Sequence, residues 1–468
     1  MTAAPDPATT AGKLADLRAR LAEAAAPLGE QAIADAHAAG RRTARERVVE
    51  LLDDASFVET DALARHRVTD FKLDRTRPAT DGVVTGYGTI DGRRVCVYSH
   101  DDTIFDGAVG EVTADKIAKV YELAAKTGVP LISVHAGTGT RAVEGLAALT
   151  AYGRLLRAAT EASGLVPQIA LIAGDTTGLA ALAPQLADVV IRVDNTAADA
   201  LTADLHCRTD AEGIDLARRL VGYLPVNNLA EAPRPDDPAG PTPEAQAALN
   251  AVLPDDPAGT YDVTDVLAGI VDAASLLELR AEGHRLRTFL ARIAGRAVGV
   301  IASDGAHLTA AGMTNAARFL RFCDSFNIPL VFVVDSPGVA DPGHGRAVAQ
   351  LAFALADATV GTLSLVTRSA LGPAFLALGS KALGADFAFA WPTAQIAAHD
   401  ADTAAALLPV TAADWAAEHL TAYVAAETGV VDAVIEPAHT RDHLAEALRL
   451  LDRKVVATRP KKHGNLPL

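Results

Sequence analysis

A glycine turn followed by apolar residues at every second position occurs twice in the chain. Ile90-x-Gly92-Arg93-x-Val95-x-Val97 returns as Ile293-x-Gly295-Arg296-x-Val298-x-Val300, and each copy predicts a strand after a tight turn. A helical stretch then ends in a proline and an apolar run: Pro130-Leu131-Ile132-Ser133-Val134 in one copy, Pro329-Leu330-Val331-Phe332-Val333 in the other. A third strand leads to a glycine that opens a helix, Ala170-Leu171-Ile172 before Gly178 and Ser364-Leu365-Val366 before Gly372. Three matches in the same order, spaced by about 200 residues, predict a tandem duplication. Short apolar strands alternating with helices predict α/β layers with strands buried on both faces.

Outside the repeat, residues 11–52 are rich in Ala, Leu, Arg and Glu and predict one or two exposed helices. Prolines crowd between Pro233 and Pro257 beside Asp236-Asp237 and Asp255-Asp256. That composition predicts a linker or long surface excursion at 231–260, between an N-terminal domain at 1–230 and a C-terminal domain at 261–468.

Half of the 468 residues are apolar and 21% are charged, enough for a sizeable core. The net charge of −16 argues against a protein-wide attraction to nucleic acid or anionic membrane, so an anionic ligand needs a local basic patch. Only 4% of the residues are aromatic, too few for a base-stacking platform. Cys96, Cys207 and Cys323 form no CxxC pair, which fits a reducing compartment. The N-terminal residues lack the charged and apolar regions of a signal peptide, and no apolar run is long enough to span a bilayer. A soluble, cytoplasmic protein is expected.

Gly178 and Gly372 are the candidate catalytic positions. A strand turning into a helix directs unpaired backbone N–H groups outward with the positive helix end behind them, which suits an oxyanion forming on a thioester or amide carbonyl. The competing reading is that both glycines only permit tight packing. P-loop, HExxH and GxSxG patterns are absent. Gly137-Thr138-Gly139-Thr140-Arg141-Ala142 imitates a dinucleotide fingerprint, but the next strand ends only near Asp175, too late for the ribose-binding acid. His206-Cys207 and His344 lie in polar stretches and read as surface residues, no metal site is expected, and Asp335-Ser336-Pro337-Gly338 reads as a turn.

Longer motifs carry a resemblance: Ala44-Arg45-Glu46-Arg47, Asp81-Gly82-Val83-Val84-Thr85-Gly86-Tyr87-Gly88, Tyr223-Leu224-Pro225-Val226-Asn227-Asn228-Leu229, Ala390-Trp391-Pro392-Thr393-Ala394-Gln395-Ile396 and the closing Pro460–Leu468. In this order they resemble the carboxyltransferase (β) subunit of biotin-dependent acyl-CoA carboxylases of the propionyl-CoA carboxylase type. The resemblance implies two tandem crotonase-like (ββα-superhelix) domains in a ring-shaped homo- or hetero-hexamer, with sites between the N-terminal half of one subunit and the C-terminal half of another. It also implies an acyl-CoA thioester bound by the N-terminal half and carboxybiotin by the C-terminal half. Biotin would arrive on a biotin carboxylase/biotin carrier partner, because Met1 and Met313 are the only methionines and no Met-Lys-Met attachment site exists. By the same resemblance the site residues are Gly178 and Leu179 on the acyl-CoA side and Gly372, Pro373 and Ala374 on the biotin side. Gly137, Gly139, Arg141 and Leu376 are implied in substrate binding. The arginine-rich stretch Arg41, Arg42, Arg45 and Arg47 reads as a solvated helix face beside Glu46 and Glu50, with contact to CoA phosphates, Arg45 and Arg47 included, as the alternative.

The chain departs from the family at these loops. Asp-Ser-Gly-Gly-Ala-Arg is replaced by Ala136-Gly137-Thr138-Gly139-Thr140-Arg141, and the two Gly-Gly-Ala turns read Gly178-Leu179-Ala180 and Gly372-Pro373-Ala374. Proline has no N–H to donate, and loss of one oxyanion donor costs on the order of 100- to 1,000-fold in rate. Leu376 stands where an acyl-selecting aspartate is usual, and segments are missing near Asn195–Asp210, Asp304–Ala311 and after Gly338. Two alternatives therefore stand beside an active carboxyltransferase: a degenerate paralogue that partners an active subunit, and altered acyl-CoA chemistry such as decarboxylation.

Overall fold

Both glycine turns close β-hairpins. Gly92, at φ +75°, joins Val83–Ile90 to Arg93–His100, and Gly295, at φ +78°, joins Leu286–Ile293 to Arg296–Ser303. The computed structural model describes residues 6–197, 202–256, 259–280, 285–340, 345–457 and 460–467. The chain divides into two units, Met1–Asn228 and Leu229–Leu468.

The first unit begins with helices α1 (Thr10–Ala25), α2 (Glu30–Ala38) and α3 (Ala44–Leu51), one more than the sequence predicts. α3 is not an exposed helix: Thr43 and Glu46 close a capping box at its start, and Val48, Leu51 and Arg47 are buried. Its seven strands are β1 (Val58–Thr60), β2 (Val83–Ile90), β3 (Arg93–His100), β4 (Leu131–Gly137), β5 (Gln168–Thr176), β6 (Val189–Val193) and β7 (Leu205–Cys207), paired in chain order. The β1–β2 and β2–β3 pairs are antiparallel and the rest parallel. Three further helices complete the unit: α4 (Glu111–Thr127), α5 (Gly145–Ala162) and α6 (Asp210–Tyr223). Ile117, Val120, Tyr121 and Ala124 form the buried stripe of α4, and left-handed Gly128 ends that helix with its N–H on Ala124 O. Against that stripe pack Tyr98, Leu131, Tyr152 and Leu155 from β3, β4 and α5.

The second unit repeats the plan. α7 (Pro243–Ala248) and α8 (Val263–Ala268) precede β8 (Leu277–Leu279), β9 (Leu286–Ile293), β10 (Arg296–Ser303), α9 (Ala310–Ser325), β11 (Leu330–Ser336), α10 (Gly345–Asp357), β12 (Thr362–Leu371) and α11 (Gly372–Ala377). β13 (Phe387–Ala390), β14 (Gln395–Ala397), α12 (Ala401–Leu407), α13 (Ala412–His419), α14 (Ala422–Glu427), β15 (Ala433–Val434) and α15 (Thr440–Leu450) follow. The sheet runs β15-β13-β12-β11-β10-β9-β8, with β14 paired to β12. The Pro-rich stretch expected as a linker is anchored in this unit, because Leu249 is buried in a core with Val263, Val266 and Trp391. Pro243 opens α7, and Val252 and Leu253 pack partly buried against the same core.

Polar contacts repeat as closely as the strands. Asp53 accepts from Asp91 N and Gly92 N at the first hairpin, and Asp272 accepts from Ala294 N and Gly295 N at the second. Arg218 binds Asp53 (3.2 Å) and Leu51 O (2.7 Å), and Arg441 binds Asp272 (2.5 Å) and Ile270 O (2.6 Å). The same aspartate–arginine clamp holds each hairpin turn.

Beneath the first sheet's carboxyl end, the buried rings of His100 and His135 lie 5.3 Å apart, and His135 Nε2 is 2.9 Å from Ser133 Oγ. Burial pushes His100 down to about 4 and His135 well below its ordinary value, the neighbouring His100 adding to the second. An unfolded histidine titrates at about 6.5, so the unfolded chain takes up protons first as pH falls. Stability from this pair is full above that value and is lost progressively toward pH 4. Thermal midpoints measured from about pH 7 down to about pH 4.5 should fall for the native chain and fall less for His135→Phe. Parallel slopes would contradict a neutral buried pair.

Candidate functional site

The two strand-to-helix glycines share one conformation. After β5, Gly178 at φ +57° begins a 3-10 turn over Gly178–Ala181, and after β12, Gly372 at φ +53° begins α11. Positive φ lets the chain reverse where a side chain would strain it. Ala180 N makes the first bond inside the first turn, to Thr177 O at 3.2 Å. The Leu179 N–H therefore lies ahead of the bonded ladder. In α11 the Gly372 and Ala374 N–H groups lie ahead of it in the same way, and Pro373 at the first helical turn has none. The Leu179 and Leu376 side chains are exposed, whereas Ala374 is buried.

Each turn sits beside the loop that follows the preceding strand. In the first unit Thr177 N donates to Gly137 O at 3.3 Å, and a Cβ built on Gly139 would lie 3.7 Å from Leu179 N. Gly137, Gly139, Gly178 and Leu179 are thus brought together. Val109 N donates to Gly139 O (2.8 Å) and Arg141 N to Val109 O (2.9 Å). In the second unit Leu308 N donates to Gly338 O and Ala340 N to Leu308 O, both at 2.9 Å, so the loop is built the same way.

The three arginines expected at substrate are committed elsewhere. Arg45 binds both carboxylate oxygens of Glu59, at 2.9 and 2.8 Å. Arg47 is wholly buried, with Nε 2.7 Å from Asp210 Oδ2. Arg141 is 4% exposed and contacts Asp81, Glu144, Thr113 and the Phe105 ring. Their partners come from distant segments, which a reading of local charge cannot locate. The cationic groups beside the glycine loop are Arg41, Arg42 and Arg208, on the rim of a cleft of about 810 Å³ that also exposes Gly137, Thr138, Asp102 and Asp106. Arg41 pairs with Asp102, Arg42 with Glu50 and Arg208 with Glu212, and because the three arginine side chains are solvent-exposed these pairs exchange at low cost.

Asp335, read as part of a turn, lies within β11, one residue before its end, as a fully buried carboxylate. It accepts from Arg368 Nε (2.9 Å), Tyr261 Oη (2.9 Å) and Ser369 N (3.0 Å). His206 is on the surface, 3.2 Å from Asp194, and burial raises the Cys207 thiol to about 12. His344 lies outside the described residues. Among the described residues no three His, Cys, Asp or Glu side chains converge as metal ligands, and no helix is long and apolar enough to cross a membrane.

A duplicated α/β fold repeats a strand–glycine–helix turn at the same point of each half, the arrangement that leaves backbone N–H groups available to an anionic acceptor. The carboxyl transferase domain family matches residues 35–203 and 202–466. The chain is 41% identical to the biotin-dependent acetyl-/propionyl-coenzyme A carboxylase beta5 subunit of Mycobacterium tuberculosis, over 98% of this chain and 96% of that one. It is 42% identical to the propionyl-CoA carboxylase beta chain of Saccharopolyspora erythraea (99% and 97%) and 37% to methylmalonyl-CoA decarboxylase subunit alpha of Veillonella parvula (98% and 100%). The solved transcarboxylase 12S, a hexamer with hydrolysed methylmalonyl-coenzyme A bound, matches with a TM-score of 0.93 at 36% identity, over 98% of this chain and 99% of that one. The chain belongs to the carboxyl transferase family and comprises two tandem crotonase-like domains.

Two glycines separate packing from turn geometry. A Cβ on Gly107 would stand 2.1 Å from Ala136 O, whereas the nearest atom to a Cβ on Gly178 is 3.9 Å away. Gly107→Ala should cost roughly 2–3 kcal/mol in urea unfolding and Gly178→Ala about 1 kcal/mol, the left-handed penalty alone. Equal losses would contradict the close approach at Gly107.

Proposed function

We propose that this chain is the carboxyltransferase subunit of a biotin-dependent acyl-CoA carboxylase, moving a carboxylate from carboxybiotin on a partner subunit to the α-carbon of a short acyl-CoA. The observation that carries the reading is the pair of equivalent turns at Gly178 and Gly372, in a chain matched along its length by acetyl-/propionyl-CoA carboxylase subunits. The Leu179 N–H would hold the thioester oxygen as it becomes an enolate, with Gly137 and Gly139 letting the thioester approach the backbone. Arg41, Arg42 and Arg208 on the cleft rim suit the phosphates of CoA better than Arg45 or Arg47.

The biotin side is the weaker half-site. Gly372 and Ala374 each offer one N–H toward a carbonyl-type acceptor, and Pro373 offers none. These residues fit the ureido group of biotin with one donor fewer, and bound biotin would supply the activated carboxylate. The alignment spans 527 positions against this chain's 468 residues, so the chain is shorter than that relative, which is consistent with the shortened loops read from the sequence. Assembly as a hexamer with a biotin carboxylase/carrier partner is proposed from the relatives' names and the transcarboxylase 12S assembly.

Pro373 favours the second reading, a degenerate paralogue that completes a heteromeric ring with an active subunit, and the methylmalonyl-CoA decarboxylase relative supports altered acyl-CoA chemistry such as decarboxylation as a further alternative. Purified protein mixed with carboxybiotin carrier and several acyl-CoAs should yield carboxylated product. Pro373→Gly should raise the rate by about 100-fold if the missing N–H limits it. No product from either protein, with an intact paralogue co-purifying, supports the degenerate reading instead.

A further inference from the structure

Arg141 lies under the glycine loop without reaching the cleft. Its Nη1 donates to Asp81 Oδ1 at 2.9 Å and Glu144 Oε1 at 2.7 Å, and its Nη2 lies 3.3 Å from Thr113 Oγ1 and 3.4 Å from Ala108 O. The guanidinium carbon stands 4.2 Å above the Phe105 ring centroid. Both carboxylates are themselves held: Asp81 Oδ2 accepts from Thr113 Oγ1 at 2.9 Å and Glu144 Oε2 from Glu111 N at 2.6 Å. Side chains of Asp81, Glu144 and Arg141 are 0%, 3% and 4% exposed, so no ligand phosphate reaches the cation.

The segments that meet here form the floor of the acyl-CoA half-site. Phe105 and Asp106 hold left-handed backbone angles of +50° and +52°, and Gly107 presses against Ala136 and Gly137. Phe105 lies under the guanidinium, Ala108 accepts from it, and Arg141 N ties the glycine loop to Val109. The planar fork therefore fixes the 105–109 turn, the 137–141 loop and the start of α4 relative to one another. A lysine ammonium cannot span two carboxylates and lie flat on a ring. The second unit has Ala340 at the equivalent place, so the clamp belongs to the acyl-CoA half alone.

We infer that Arg141, clamped by Asp81 and Glu144 over Phe105, is a positioning residue that sets the Gly137–Gly139 backbone against the Leu179 N–H. The inference rests on the carboxyltransferase reading for its kinetic consequence, but the clamp itself is measurable without turnover.

The test uses the full chain with its carrier partner and compares Arg141→Lys with the native protein. Amide exchange at 105–109 and 137–141 should speed up by about tenfold while the second unit stays unchanged. With acyl-CoA, kcat should fall by about 100-fold and KM by no more than about twofold in either direction, the signature of lost geometry rather than lost binding. Unchanged exchange in those segments overturns the inference. So does a raised KM at constant kcat, which would make Arg141 a ligand contact, or a uniform rise in exchange across the first unit, which would make it merely structural. Should Arg141→Lys fail to fold, Glu144→Gln removes one ionic partner at constant size and carries the same readouts. A native protein that makes no product overturns the carboxyltransferase reading and leaves the exchange measurement to judge the clamp.

Discussion

A guanidinium buried against a carboxylate permits little positional slack. Taking both charges out of water costs several kcal/mol per ion, which is offset only when the remaining donors and acceptors are also satisfied. Arg368 with Asp335 meets that condition through Tyr261 and Ser369, and Arg141 with Asp81 and Glu144 meets it through Thr113 and Glu111 except at its buried Nε, which has no hydrogen-bond partner among the described residues. Removing one partner from such a pair costs about 3–5 kcal/mol, because the other charge is stranded. What the pairs contribute is therefore a single arrangement of the loops around the two glycine turns, more than net stability. Backbone N–H groups stabilise a developing oxyanion only if they already point at it, and these pairs decide where the loops beside them lie.

The duplication shows what the fold retains and what it has released. Asp53 with Arg218 and Asp272 with Arg441 hold equivalent hairpin turns by equivalent atoms, and Val109 and Leu308 make the same bridge to the following loop. Differences fall where the turns open. Leucine follows the glycine in one half and keeps its N–H, proline follows in the other and has none. Proline is well accommodated at a first helical turn, so the change leaves α11 intact while removing a donor.

The strands, the duplication and the positions of Gly178 and Gly372 were legible because each leaves a local signature: alternation, an apolar run, a glycine before a helix. Charge assignments were not legible. Arg45, Arg47 and Arg141 stand in basic or glycine-rich stretches and read as ligand contacts, yet Glu59, Asp210 and Asp81 capture them from 14, 163 and 60 residues away. Asp335 read as a turn because its partner Arg368 lies 33 residues on. Within the Pro-rich stretch the buried position of Leu249 was not legible, because its partners Val263, Val266 and Trp391 lie outside the stretch. Arg208, near the cleft only through the fold, carried no signal in the sequence at all.

The central claim is that the first unit holds an acyl thioester by the backbone at Leu179. A crystal structure of the protein with a non-hydrolysable acyl-CoA analogue tests it most directly. The account predicts the carbonyl oxygen of the analogue about 2.7–3.1 Å from Leu179 N, between Gly139 and Gly178, with the CoA phosphates near Arg41, Arg42 or Arg208. An acyl-CoA seated elsewhere, or a Leu179 side chain that closes the turn against the thioester, would contradict it.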